Sequence, residues 1–127
     1  MSNDPDHTAK SFPTVDRLIH EPARYNIMAL LHVVERADYL FVLNQTRLTA
    51  GNLTAHAARL ENAGYLLVQK KFVGKKPKTS FSLTSRGRDA FESYRRDMRR
   101  LLNEPPNPGD VRAKPIDQDL DESGTDR

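Results

Sequence analysis

The chain has 127 residues, 37% of them apolar or aromatic and 29% charged, with no cysteine and a mean hydropathy of −0.70. This supports one domain of about 100 residues with polar tails, and it excludes disulfides, thiolate catalysis and cysteine-ligated zinc. The net charge of +3 hides an asymmetry: residues 1–15 carry net −1, residues 16–103 carry 16 Lys/Arg against 8 Asp/Glu, and residues 104–127 carry 3 against 7.

A basic body with an acidic end points to a polyanionic partner, most often nucleic acid. The longest apolar run, Ile27 to Leu31, falls far short of the roughly 20 residues of a membrane span. The polar, acidic N-terminus carries no secretory pattern, so a cytoplasmic protein with no membrane partner is expected. Residues 1–13 read as a disordered arm and 103–127, beginning near Glu104-Pro-Pro-Asn-Pro-Gly, as a disordered acidic tail. Neither has enough apolar surface to offset its ordering entropy. Such a tail has the charge to cover the basic body and inhibit it.

Between these ends the periodicity is clear. Pro22 suits a first helical position, and Ile27, Leu30, Leu31 and Val34 follow at helical spacing, predicting a helix over 22–36. Asp38 is placed to cap a second helix ending near Arg47, with Tyr39, Val42, Leu43 and Thr46 on one face. Leu48 turns inward, and Thr49 caps a third helix, 50–63. Its core stripe is Leu53, Ala57 and Leu60, and Gly64 stops it. Residues 65–73 and 79–83 read as two strands joined by the turn Gly74-Lys-Lys-Pro77. Thr84 caps a last helix running to about Leu102, whose Phe91, Tyr94, Met98 and Leu101 step by 3, 4 and 3. That seam folds back on the first helix or meets a second copy of the chain, and a homodimer is favoured.

The fold class is therefore mainly α with a small β-hairpin, in the order ααα-β-β-α. Opposite its core stripe the third helix presents Gly51, Asn52, Ala55, Ala58, Arg59 and Asn62. Small residues let a helix sit deep in a groove, Asn pairs bidentately with adenine, and Arg with guanine. Thr54 and His56 lie at the edges of that face, suited to phosphate. The hairpin adds Lys70, Lys71, Lys75, Lys76 and Lys78, five lysines in nine residues. Edge lysines often serve only to prevent aggregation, but five at one tip exceed that need. The arginines of the last helix read as a solvated face, some of them paired with Asp89, Glu92 or Asp97.

In this order the sequence resembles the winged helix-turn-helix regulators related to the MarR and ArsR groups. The resemblance spans about residues 14–102. It is carried by His20-Glu-Pro-Ala-Arg24, by Leu48-Thr-Ala-Gly-Asn-Leu-Thr-Ala-His56 through Leu60-Glu-Asn-Ala-Gly-Tyr65, by Lys71-Phe-Val-Gly-Lys-Lys-Pro-Lys-Thr79 and by Leu83-Thr-Ser-Arg-Gly-Arg88. It implies that the third helix enters the major groove, with Thr49, Gly51 and Asn52 at its leading end, that the wing touches the backbone, and that terminal helices dimerise.

The expectation is a sequence-specific, double-stranded DNA-binding transcriptional regulator. The alternative is a winged-helix protein-interaction module. Enzyme readings lack a nucleophile elbow or a Gly-rich phosphate loop. His7, His20, His32 and His56 show no close metal-ligand spacing, so no metal or cofactor is expected. A dimer cleft has room for a small apolar effector, but no residue points to one.

Overall fold

A computed structural model describes residues 14–104 and 107–110. The expected N-terminal arm and most of the acidic tail, with any inhibitory role for it, lie outside the described residues. The element order is α1 (Pro22–Val34), β1 (Arg36–Asp38), α2 (Tyr39–Thr46), α3 (Ala50–Asn62), β2 (Leu66–Val73), β3 (Lys76–Leu83) and α4 (Ser85–Asn103). Residues Val15–Arg99 form one compact unit. In the other unit, Arg100 lies 3.8 Å from Glu104 and Pro108–Asp110 form a 3-10 turn. Among the described residues, no helix is long and apolar enough to cross a membrane.

Each helix starts where a side chain satisfies its free N–H groups. Glu21 accepts from the Arg24 N–H at 2.8 Å, with Pro22 following it at the first helical position. Asp38 accepts from Phe41, Thr49 from Asn52 and Thr84 from Gly87, at 2.9, 3.1 and 2.9 Å. Caps of this kind each contribute about 1 kcal/mol. Glu35 and Arg47 end α1 and α2 with φ of +71° and +61°. The expected span of 22–36 for the first helix is thus two residues too long. The chain turns out of the helix at Glu35, and Arg36–Asp38 is released to pair with β3, Ala37 opposite Phe81.

The sheet is therefore three-stranded, in the order β1-β3-β2, and not a lone hairpin. In the β2–β3 ladder Leu66 faces Leu83, Val68 faces Phe81 and Val73 faces Lys76, leaving Gly74 and Lys75 as a two-residue turn. Gly74 supplies the positive φ, +66°, that this tight connection needs.

The core lies where α1, α2, α3 and α4 meet one face of the sheet. Ile19, Ile27, Met28, Leu31, Val42, Leu53, Leu60 and Phe91 are fully buried. Met28 is buried as well, whereas Val34, expected on the core stripe, stays 37% exposed at the last turn of α1. The junction between α3 and α4 is tight. Gly64, at φ +83°, donates to Glu61 O, and Tyr65 donates to Leu60 O, a doubly bonded left-handed helix stop. Thr84 then donates from its N–H to Tyr65 O and from its hydroxyl to Gly64 O. A Cβ at Gly87 would sit 2.1 Å from Tyr65 O, so only glycine lets α4 approach this turn. Tyr65 also holds the N-terminal segment. Its hydroxyl donates to Asp16, whose carboxylate also accepts from Leu18 N–H at 2.9 Å.

Two outcomes follow from these contacts. Gly87→Ala is expected to lower unfolding stability by about 3 kcal/mol, since overpacking against fixed backbone costs this order. Gly51→Ala, in open space on α3, is expected to raise it by about 0.5–1 kcal/mol. Urea unfolding of the two variants checks the pair, and equal midpoints would contradict the close approach.

The second outcome concerns pH. Burial, then the hydrogen bond to Asp16 and its negative charge, push the Tyr65 hydroxyl from 10.0 up to about 12. The folded state favours the neutral phenol, so this contribution is complete below pH 10 and is lost as pH rises from 10 toward 12. The stability difference between wild type and Tyr65→Phe is expected to shrink across that window, and a constant difference would contradict the linkage.

Candidate nucleic-acid interface

The third helix is fixed from below and open above. Leu53, Ala57 and Leu60 are buried, at 0%, 5% and 0% exposure. Gly51, Asn52, Ala55, Ala58, Arg59 and Asn62 are all exposed. The two halves of the helix surface separate as the spacing predicts. Asn52 and Arg59 lie two turns, about 10 Å, apart along the open face. Thr49 is exposed and serves as the N-cap.

His56 departs from its expected place at the edge of that face. It is half-buried and turned toward the start of α1, where its Nδ1 lies 3.1 Å from Arg24 Nη1 and 4.0 Å from Glu21 Oε1. A guanidinium only donates, so Nδ1 is the acceptor in this contact. Arg24 is itself buried and donates from Nε to Leu18 O at 2.6 Å. His56 thus joins α3 to α1 and is oriented away from the open face of α3.

The five lysines, Lys70, Lys71, Lys75, Lys76 and Lys78, are all exposed on the far half of the hairpin. They divide between its faces. Lys70 shares the α3-facing side with Thr79, its cross-strand partner, while Lys71 and Lys78 face each other directly on the other side. Like charges opposed across a ladder are unfavourable unless an anion lies between or beside them.

Between α3 and the hairpin runs a groove of about 510 Å³, lined among others by Tyr39, Thr54, Glu61, Lys70 and Thr79. Sequence spacing puts Tyr39 on the core face of α2. In the structure its ring meets Phe81 while its hydroxyl reaches Ala50 O at 3.2 Å and Thr54 Oγ1 at 3.5 Å, at the wall of this groove. The tyrosine is half core and half site, a split that a one-face periodicity cannot express.

The apolar seam of α4 is not free. Phe91 and Tyr94, expected at a dimer interface, are 2% and 8% exposed and packed within their own chain. Tyr25 of α1 lies 5.4 Å from the Phe91 ring and 5.9 Å from the Tyr94 ring. His20 bonds the Tyr94 hydroxyl at 2.8 Å, and His32 meets Glu92 at 3.3 Å. Burial raises the Tyr94 hydroxyl above its ordinary pKa, with Tyr25 adding to the shift. Met98 packs partly buried against the same core, and Leu101 lies beyond it in the second unit. Folding back on α1, the other course open to this seam, satisfies its inner part and corrects the assignment of Phe91 and Tyr94 to a partner copy.

Glu92, one of the three carboxylates expected to pair with arginines of α4, is instead engaged by His32. Arg95 stacks over the Phe91 ring at 6.0 Å, and Arg96 bonds Ser93 at 2.9 Å. Among the described residues, no three His, Asp or Glu side chains are grouped to hold a metal ion.

Comparison with known proteins agrees with this architecture. An uncharacterized protein of Methanocaldococcus jannaschii is 31% identical over 78 residues, which are 61% of this chain and 85% of that one. A transcriptional regulator homologue from Pyrococcus horikoshii superposes with a TM-score of 0.65 at 23% identity, covering 69% of this chain and 87% of that chain. BpsR of Bordetella bronchiseptica, described for the regulation of its DNA binding by 6-hydroxynicotinic acid, superposes at 0.55 with 18% identity, covering 69% and 68%. The winged helix DNA-binding domain family matches residues 23–102. With the helices, the three-stranded sheet and the lysine-bearing hairpin in place, the chain belongs to the winged helix DNA-binding domain family.

Proposed function

We propose that the protein is a sequence-specific, double-stranded DNA-binding transcriptional regulator that acts in the cytoplasm as a homodimer. One observation carries this reading. The exposed face of α3 combines small residues with Asn52 and Arg59, and it stands beside a hairpin whose outer half bears five exposed lysines. A small-residue face admits the helix to the major groove, about 12 Å wide, where Asn52 and Arg59 meet base edges. Thr49, Gly51, Ala55 and Thr54 close on the groove wall. Lys71, Lys75, Lys76 and Lys78 neutralise backbone phosphates and so add affinity without sequence information. The two-fold contact draws on surface other than Phe91 and Tyr94.

Selection of fragmented genomic DNA by the full-length protein tests the reading. An enriched pseudo-palindrome with half-sites about 10 bp apart, one helical turn, is the expected result for a dimer. A single unrepeated site would remove the dimer, and no enrichment would favour a protein-interaction module.

Two mutational outcomes separate the roles of helix and hairpin. Arg59→Ala is expected to cost about 1–3 kcal/mol of binding and to relax preference at one base pair, as is Asn52→Ala at another. Unchanged affinity and preference would contradict the groove assignment. Lys75→Ala with Lys76→Ala removes four lysines from the bound dimer and is expected to weaken all sequences alike and to reduce the log–log salt slope by about 3.6. A loss confined to one sequence would contradict the backbone role.

A further inference from the structure

The hairpin tip carries a feature that phosphate binding does not use. Phe72 is 75% exposed and Val73 60% exposed, amid the five lysines. Phe72 stands opposite Pro77 in the ladder, and the pair continues the face of the sheet that bears Val68 and Phe81, then Lys70 and Thr79. That face lines the groove beside α3. Going outward, it changes from core to a Lys–Thr pair and then back to an apolar pair at the tip.

The tip pair lies four residues beyond Val68, about 14 Å at the usual strand rise. Phe72 is therefore out of reach of the core that would otherwise explain an aromatic side chain. A solubilising edge would place charge at this position.

Resting on the DNA-binding reading above, we infer that the wing tip enters the minor groove and that Phe72, backed by Pro77, wedges between base pairs and kinks the duplex. Charge selects the occupant: an apolar protein surface gains nothing from five lysines around its contact, whereas a polyanion does. Shape selects the groove and the distortion. Two strands about 4.8 Å apart, with their side chains, are broader than a minor groove about 6 Å wide, so the tip enters only as the groove opens. Inserting an apolar side chain at a base step opens it by bending the duplex toward the major groove. Lys71 and Lys78, opposed on the other face of the ribbon, lie along a groove wall where phosphates relieve their mutual repulsion. The protein then acts on DNA shape as well as reading bases, and it favours steps that unstack easily, such as TA and CA.

Ligase-driven ring closure of a mixed-sequence duplex of about 150 bp, near the persistence length of DNA, tests this. Binding of the same duplex is measured first by gel shift at low salt. Bound wild-type protein is expected to accelerate ring closure at least fivefold. Phe72→Ser, an exposed substitution that leaves the core intact, is expected to bind within threefold of wild type yet return closure to within twofold of free DNA. Phe72→Leu, still an apolar wedge, is expected to keep most of the acceleration. Equal acceleration by Phe72→Ser, or wild-type binding without acceleration, overturns the wedge. Absence of any gel shift by the wild type overturns the DNA-binding reading itself, and the wedge with it.

Discussion

Arg24 is the charged side chain that the described core buries. A guanidinium taken out of water is tolerated only when its donors are used. Here Nε serves the Leu18 carbonyl and Nη1 serves His56. The segment before α1, α1 itself and α3 are thereby held at one point. Removing an acceptor would leave a buried charge partly unpaired, which costs more than an ordinary hydrogen bond contributes. The apolar stripe of α3 fixes how deep the helix sits but is non-directional. The Arg24–His56 contact adds direction and fixes the helix's position along α1.

The far end of α3 is held by backbone. Gly64 and Tyr65 close the helix, Thr84 bonds both of them, and Gly87 brings α4 against Tyr65 O. The wing strands begin and end at this same junction, Leu66 paired with Leu83. α3 and the hairpin therefore share one anchor at the base of the groove between them. Rigidity near the junction gives way to an unsupported tip, where residues 70–78 are all exposed.

Much of this was legible in the sequence because local rules and tertiary packing agree. Asp38, Thr49 and Thr84 are caps in a row of apolar periodicity, and Gly64 stops α3 as a glycine at that position should. The split of α3 into Leu53, Ala57 and Leu60 below and six exposed residues above follows from geometry alone. What escaped notice depends on contacts made across the chain. β1 is three residues, too short for its alternation to stand out, and it is a strand because β3 offers an edge. His56 lies at the border of two faces, and its direction is set by Arg24, 32 residues away in the chain. Phe91 and Tyr94 form a seam that looks unpartnered in sequence, since their partner Tyr25 lies on a different helix.

The same division separates what the surface does from what the core does. Asn52, Arg59 and the lysines are exposed and contribute little to packing, so changing them leaves folding largely intact. Surface positions away from caps and buried networks tolerate substitution within about 0.5 kcal/mol. Arg24, His56 and Gly87 have the opposite character: their contacts hold α1, α3 and α4 against one another and against the α3–β2 turn. Tyr39 belongs to both sets, its ring against Phe81 and its hydroxyl beside Thr54. Tyr39 thus joins the wall of the groove between α3 and the hairpin to Phe81, which is buried opposite Ala37 and Val68 at the centre of the sheet.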